Sequence, residues 1–236
     1  LIAYLIKEHS NITKYTQFEL TKEATFDLEI WKQLLSDAQY KYVDIDFILQ
    51  NNTEKHINVW TDASTSYGAG GHSSLGNLYH LPWSALKLTS KNKFSHRFKY
   101  EIKDHIIYLE LLAVVAMTYL YSKNWKNRFI NFYCDNSAVV SALNSGTLKF
   151  SSKLYFPKAN LLKLFARLAL KNQFYFKAIH IEGKKNPIAD ALSRENEISR
   201  HLIYQQFNKK YCIPNKIVSN IVNRTCIDKF SNKIAI

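Results

Sequence analysis

An α/β fold is predicted, with a mixed five-stranded sheet made of a three-stranded antiparallel meander plus parallel strands, and helices on both faces. Three observations predict it. Three strand-like runs lie between Ile57 and Trp83 with only turns between them, and spacing that tight makes antiparallel neighbours. Two later runs, Phe129 to Cys134 and Phe174 to Ile181, are separated by helical patterns, and a helical crossover is the usual way to make strands parallel. Finally, 236 residues with 47% hydrophobic content are enough for one substantial domain with a real core.

Residues 1 to 50 hold one convincing element, a helix from Thr21 to Ala38, in which Ala24, Leu28, Trp31, Leu34 and Leu35 recur at helical spacing. It reads as an amphipathic connector. Tyr42-Val43-Asp44-Ile45-Asp46 resembles the Tyr-x-Asp-Asp motif of polymerases, but its acids alternate instead of adjoining, so a solvated strand or turn is expected. The first sheet strand, Ile57 to Asp62, carries the β-favouring Ile57, Val59 and Trp60, ends on a carboxylate and breaks into Ser66-Tyr67-Gly68-Ala69-Gly70-Gly71. Ala69 to Ser73 and Asn77 to Trp83 complete the meander. Lys87 to Lys103 is a polar connection in which Lys91, Lys93, Arg97 and Lys99 alternate with Phe94, Phe98 and Tyr100, a composition that suits either gripping a nucleic-acid backbone or an ordinary solvated surface loop.

A long apolar helix, Asp104 to Tyr121, embeds Glu110 among Ile106, Ile107, Ala113 and Val114, with no basic side chain at the three- and four-residue spacings. A buried unpaired carboxylate is costly, so either Glu110 sits at the rim of the packed face or something cationic binds it. The strand Phe129 to Cys134 ends on Asp135, a second carboxylate at a strand end. Asn136 to Leu143 follows as a short helix stopped by Asn144-Ser145-Gly146. Leu154 to Leu170 is amphipathic, with Leu161, Leu164, Phe165 and Leu168 on one face. After the last strand, which carries His180, Asn186 as N-cap and Pro187 at the first helical position open a helix through Leu192 that brings Asp190 into its early turns. Residues 196 to 236 show no motif; one helix is expected there, Pro214 to Val222.

Thirty-two Lys and Arg against 19 Asp and Glu give a formal charge of +13, which suits a polyanionic partner. Cys134, Cys212 and Cys226 are far apart and form no Cys-x-x-Cys pair, so neither a disulfide framework nor a zinc site is indicated. A reducing, intracellular setting is expected, with cytoplasm and nucleus not distinguished. The apolar run around Leu111 to Met117 is too short to span a bilayer and no signal peptide is visible, so a soluble protein with no membrane partner is expected. Because the chain begins at Leu1 and its only methionine is Met117, it reads as a piece of a longer polypeptide.

Taken together, Thr61-Asp62-Ala63-Ser64, Leu109-Glu110-Leu111-Leu112-Ala113, Cys134-Asp135-Asn136-Ser137-Ala138-Val139-Val140 and the run His180 to Arg194 resemble the ribonuclease H domain of retrotransposon reverse transcriptases. That run has the form His-x-x-Gly-Lys-x-Asn-x-x-Ala-Asp-x-Leu-Ser-Arg. The DIRS type is the nearer match and the gypsy type the next. The resemblance covers about residues 20 to 195. It implies a ribonuclease H-like domain over 51–195, a connector over 1–50 from an upstream reverse transcriptase region of the same polypeptide, and a C-terminal extension of unknown role over 196–236.

By the same resemblance Asp62, Glu110, Asp135 and Asp190 match the family's catalytic carboxylates, and His180 its histidine ten residues before the last acid. The activity implied is Mg²⁺-dependent hydrolysis of the RNA strand of an RNA/DNA hybrid, leaving 5′-phosphate and 3′-hydroxyl ends. Two Mg²⁺ ions about 4 Å apart, with Mn²⁺ as a substitute, need anionic oxygens to offset their repulsion. Asp62 would touch both, Asp190 would join it on the attacking-water side, and Glu110 and Asp135 would serve the departing 3′ oxygen. His180 would assist water entry, proton movement or product departure. Ser64, Asn136 and Ser137 are implied as groove contacts, with the basic connection holding phosphates. The segment Thr147 to Lys153 is too short for the separate basic protrusion of cellular enzymes, so binding is expected to draw on the rest of the reverse transcriptase. Two other classes compete: a catalytically inactive binding or connection module, and an integrase or resolvase of the same broad fold. Retention of all the acids argues against the first, and the Gly-Lys-x-Asn-x-x-Ala-Asp ending against the second.

Overall fold

The computed structural model describes residues 56–86, 102–148, 155–207 and 215–225, together with Thr25, Leu28 and Lys32. Those three single residues are helical, as the expected helix over Thr21 to Ala38 requires; the rest of that helix and the Tyr42 to Asp46 run lie outside the described residues. So do Lys91, Lys93, Arg97 and Lys99. The chain divides into two compact units, Leu1–Asn52 and Thr53–Ile236, and every strand below belongs to the second.

Five strands form one sheet: β1 (His56–Ala63), β2 (Gly68–Ser73), β3 (Leu78–Pro82), β4 (Phe129–Cys134) and β5 (Tyr175–His180), in the order β3-β2-β1-β4-β5. The first three pair antiparallel, while β4 pairs parallel with both β1 and β5. This is the expected ribonuclease H-like mixed sheet. The crossovers that make the last strands parallel are helical: α1 (Ile102–Tyr121) precedes β4, and α2 (Ser137–Ser145) and α3 (Tyr155–Lys171) lead to β5. Then come α4 (Pro187–Ser193), α5 (Glu197–Gln206) and α6 (Asn215–Thr225). The helix α2 runs on to Ser145 and is closed by Gly146, whose positive φ of 67° suits a residue without Cβ.

The strands alternate because one face packs on α1 and α3. Val59, Ile130, Phe132 and Cys134 point into that core and are fully buried, whereas Trp60, Asn131 and Tyr133 lie on the other face and are half-buried. Rings of Phe132, Phe165, Phe174, Phe176 and Trp125 meet edge to face in the core. The stretch Ile106–Asn124 is long and apolar enough, by length and composition, to cross a membrane, a length underestimated from the run around Leu111 alone. Here Leu109 to Met117 are buried under the sheet, and Tyr79 Oη donates to the Ala113 carbonyl at 2.8 Å, so this is a core helix of the domain.

On the opposite face, Leu78, Leu192, Ile203 and Tyr204 form a second apolar cluster that seats α4 and α5 on β2 and β3. The expected helix near Pro214 to Val222 is α6, whose Val218, Ile221 and Val222 join the main core. By contrast α5 was not expected.

Candidate active site

The parallel pairing of β1 and β4 sets the site. Trp60 stands opposite Tyr133, so two residues further on Asp62 comes alongside Asp135 at the same sheet edge. Asp62 is itself only 5% exposed. Its strand neighbour across β2 is Gly70, and the missing side chain there lets α4 approach. From α4, Ser193 donates its hydroxyl to Asp62 Oδ2. Burial raises the Asp62 carboxyl to about 6 despite that hydrogen bond; Asp135 and Asp190 push the same way and Arg194 opposes them.

Glu110 is enclosed, so the rim alternative does not hold. From α1 it reaches the strand ends, where Oε1 accepts the Ala63 N–H at 3.2 Å and Oε2 accepts the Cys134 thiol at 3.7 Å. Burial, then the Asp62 and Asp135 charges, hold its carboxyl well above the usual range, and these two neutral donors only partly compensate. Burial and Glu110 likewise push the Cys134 thiol up, so it stays protonated and serves as a donor.

Asp135 is half-buried beyond the end of β4; a Cβ on Gly183 would lie 3.1 Å from its Oδ2, so the turn after β5 closes over this carboxylate. His180 is exposed, and its Nε2 lies 3.0 Å from the Asp135 carbonyl oxygen, which can only accept, so Nε2 carries the proton. Asp190 is half-buried on α4, and its Oδ1 accepts from Arg194 Nε at 2.7 Å and pairs with Nη2 at 2.6 Å.

Glu110, Cys134 and Asp135 offer ligand atoms within 4.8 Å of one another. Asp62 interacts electrostatically with Asp135, Asp190 and Glu110. The donors fit a hard divalent cation: buried carboxylates raise one another's affinity for positive charge, and the thiol adds a proton rather than a soft ligand. Glu110 and Asp135 would hold such an ion, with Asp62 on the neighbouring strand and Asp190, now paired with Arg194, as the further carboxylates coupled to them.

Two of the expected groove contacts, Ser64 and Asn136, make local hydrogen bonds. Ser64 Oγ accepts from the N–H groups of Tyr67 and Gly68, both at 3.0 Å, and donates to the Ser193 carbonyl at 2.8 Å. The Asn136 side chain caps α2 by accepting from Ala138 and Val139 N–H, while Ser137 is exposed at the helix start. Asn186 occupies the N-cap position of α4, but its side chain does not cap; Nδ2 donates instead to the Thr61 carbonyl at 3.0 Å, pinning α4 beside Asp62. The site residues sequence reasoning missed are Cys134, Ser193 and Arg194. The one available signal was position: Cys134 immediately precedes a strand-end acid, and Ser193-Arg194 follow Asp190 at three and four residues along a helix.

The Asp62 shift makes a pH prediction. A carboxyl whose folded pKa is raised from 3.8 to about 6 binds its proton more tightly when folded. Its contribution to stability is therefore complete below 3.8 and lost as pH rises through about 6, up to about 3 kcal/mol. In chelator, denaturant melts of wild type minus those of Asp62→Asn should show that loss; Mg²⁺ added at neutral pH should reverse it. A difference that is flat with pH would rule this out.

No family model matches the chain, and no curated protein matches it. Among solved structures it is similar to LC11-RNase H1, isolated from compost by a metagenomic approach, at 15% identity over 58% of this chain and 92% of that one, with a TM-score of 0.40. It is also similar to RNase H1 of the halophilic archaeon Halobacterium salinarum NRC-1, at 15% identity over 58% and 93%, with a TM-score of 0.37.

Proposed function

We propose that this chain is the ribonuclease H domain of a retroelement reverse transcriptase, DIRS-type first and gypsy-type next, acting inside the cell on RNA/DNA hybrids. The observation that supports the reading is the group of Glu110, Cys134 and Asp135, whose ligand atoms lie within 4.8 Å of one another, with Asp62 on the strand paired beside β4 and coupled electrostatically to Asp135 and Asp190. The motif from His180 to Arg194 supports the retroelement context, and with it an upstream reverse transcriptase domain.

Hydrolysis adds water to the scissile phosphorus and breaks its bond to the 3′ oxygen, which takes up a proton. Two bound Mg²⁺ ions, or Mn²⁺ in their place, would supply the positive charge that acidifies the water and stabilises the departing oxygen. Asp62 would serve both sides, with Asp190 on the water side and Glu110 with Asp135 on the other. The ring of His180, exposed and anchored on the Asp135 carbonyl, would pass protons or help the product leave.

One observation favours the non-catalytic binding module instead: Asp190 is already neutralised by Arg194. Labelled hybrid, double-stranded DNA and double-stranded RNA incubated with the chain in Mg²⁺ and in chelator separate the two. Metal-dependent cleavage of the hybrid's RNA strand is expected, leaving 5′-phosphate ends. Hybrid binding without cleavage, also in the company of a reverse transcriptase domain, would establish the binding module.

A further inference from the structure

We infer that Ser193 is a positioning residue: its hydroxyl fixes the Asp62 carboxylate in the orientation that receives the divalent cation. The inference rests on the hydrolase reading for its consequence in turnover, but not for its consequence in metal binding.

The geometry is specific to the hydroxyl. Ser193 is fully buried at the last position of α4, and its Oγ lies against two acceptors, Asp62 Oδ2 and the Asp190 carbonyl, the latter at 2.9 Å. A hydroxyl has one proton, and a carboxylate competes for it better than a neutral carbonyl does. Both acceptors lie within reach of the same Ser193 rotamer, so the proton can go to Asp62 without the side chain turning away. One oxygen of the carboxylate is thereby held, and the plane of the group is set.

The backbone beneath Ser193 is fixed as well. Its carbonyl accepts from Ser64 Oγ at 2.8 Å, and Ser64 lies two residues after Asp62 on the same segment. Asp62 and α4 are therefore tied twice, once through each serine hydroxyl. A third tie fixes the following residue: the Arg200 guanidinium, stacked 5.0 Å from the Tyr67 ring centroid, donates Nη1 to the Arg194 carbonyl. Asp62 comes from β1 and Ser193 from α4, so the hydroxyl that meets the Asp62 carboxylate ties the helix carrying Asp190 to the strand carrying Asp62.

The test uses the whole chain with Ser193→Ala and Ser193→Cys, checked for folding by circular dichroism. Mn²⁺ binding is read by electron paramagnetic resonance, and hybrid cleavage by kcat and KM separately. The alanine chain should bind Mn²⁺ about tenfold more weakly and lose about tenfold in kcat, with the KM for hybrid unchanged, because the substrate's own contacts are untouched. The thiol is a weaker donor of similar size, so the cysteine chain should fall between wild type and alanine. Mn²⁺ binding and kcat within twofold of wild type in folded Ser193→Ala would overturn the inference, as would a loss confined to KM. Should the alanine chain not fold, Ser193→Cys decides by the same two readings. A wild type inert on hybrid, also in the company of a reverse transcriptase domain, whose Mn²⁺ binding still depends on Ser193 would remove the hydrolase reading and keep this one; an active wild type indifferent to Ser193 would do the reverse.

Discussion

Asp62→Asn should lower hybrid cleavage by about a thousandfold while leaving the fold intact, and should modestly stabilise the chain in chelator. The substitution keeps the shape and one carbonyl oxygen for the Ser193 hydroxyl, so the tie between β1 and α4 survives. What it removes is a negative charge coupled to those of Asp135, Asp190 and Glu110. That charge is expensive in the empty site: burial first, then Asp135 and Asp190, raise the Asp62 carboxyl to about 6. An amide escapes this penalty, which is why stability should rise at neutral pH. Cation binding needs the same charge, so activity and stability should move in opposite directions. Single-turnover cleavage together with denaturant melts in chelator would show the pairing. An Asp62→Asn chain that cleaves within tenfold of wild type would move the reaction centre elsewhere.

The parts of the site readable from sequence are those set by local pattern. Asp62 and Asp135 each end an apolar strand, and Glu110 interrupts an otherwise apolar helix; both signals arise from the residue's own neighbours. What partners these acids depends on elements far apart in the chain. The donors that hold Glu110 come from Ala63 and Cys134, 47 and 24 residues away, and Ser193 meets Asp62 across 131 residues. No periodicity reports such pairs. Asn186 shows the same limit, since its position at a helix start was legible but its side chain is drawn to the Thr61 carbonyl on β1.

The unexpected helix α5 has a different cause. It leaves Ile198 and Leu202 exposed, 77% and 59%, while burying Arg200 beside Ile203 and Tyr204. Apolar residues on the solvent side and a guanidinium on the packed side blur the stripe by which an amphipathic helix is recognised. Its start did carry a local signal, Asn196, whose side chain caps the helix by accepting the Ser199 N–H at 2.9 Å. An N-cap residue without a clean stripe behind it is too common in turns to mark a helix by itself.

Gly70→Ala should cost about 3 kcal/mol of stability and about a hundredfold in cleavage, although the residue carries no chemistry. A Cβ there would lie 2.3 Å from Leu192 Cβ, 2.7 Å from the Leu192 carbonyl carbon and 2.9 Å from the Ser193 amide nitrogen. Two of those three atoms are backbone, so a rotamer change cannot relieve the clash and α4 itself must lift from β2. Lifting α4 withdraws Ser193 from Asp62 and carries Asp190 away from the other acids at the same time. Gly76→Ala is the control, because it meets nothing within 4 Å and costs only the strain of a positive φ of 74°, about 1 kcal/mol, far from the site. It should leave cleavage unchanged. Equal activity in the two alanine chains, each shown to be folded, would mean that the approach of α4 through Gly70 does not set the geometry of the acids.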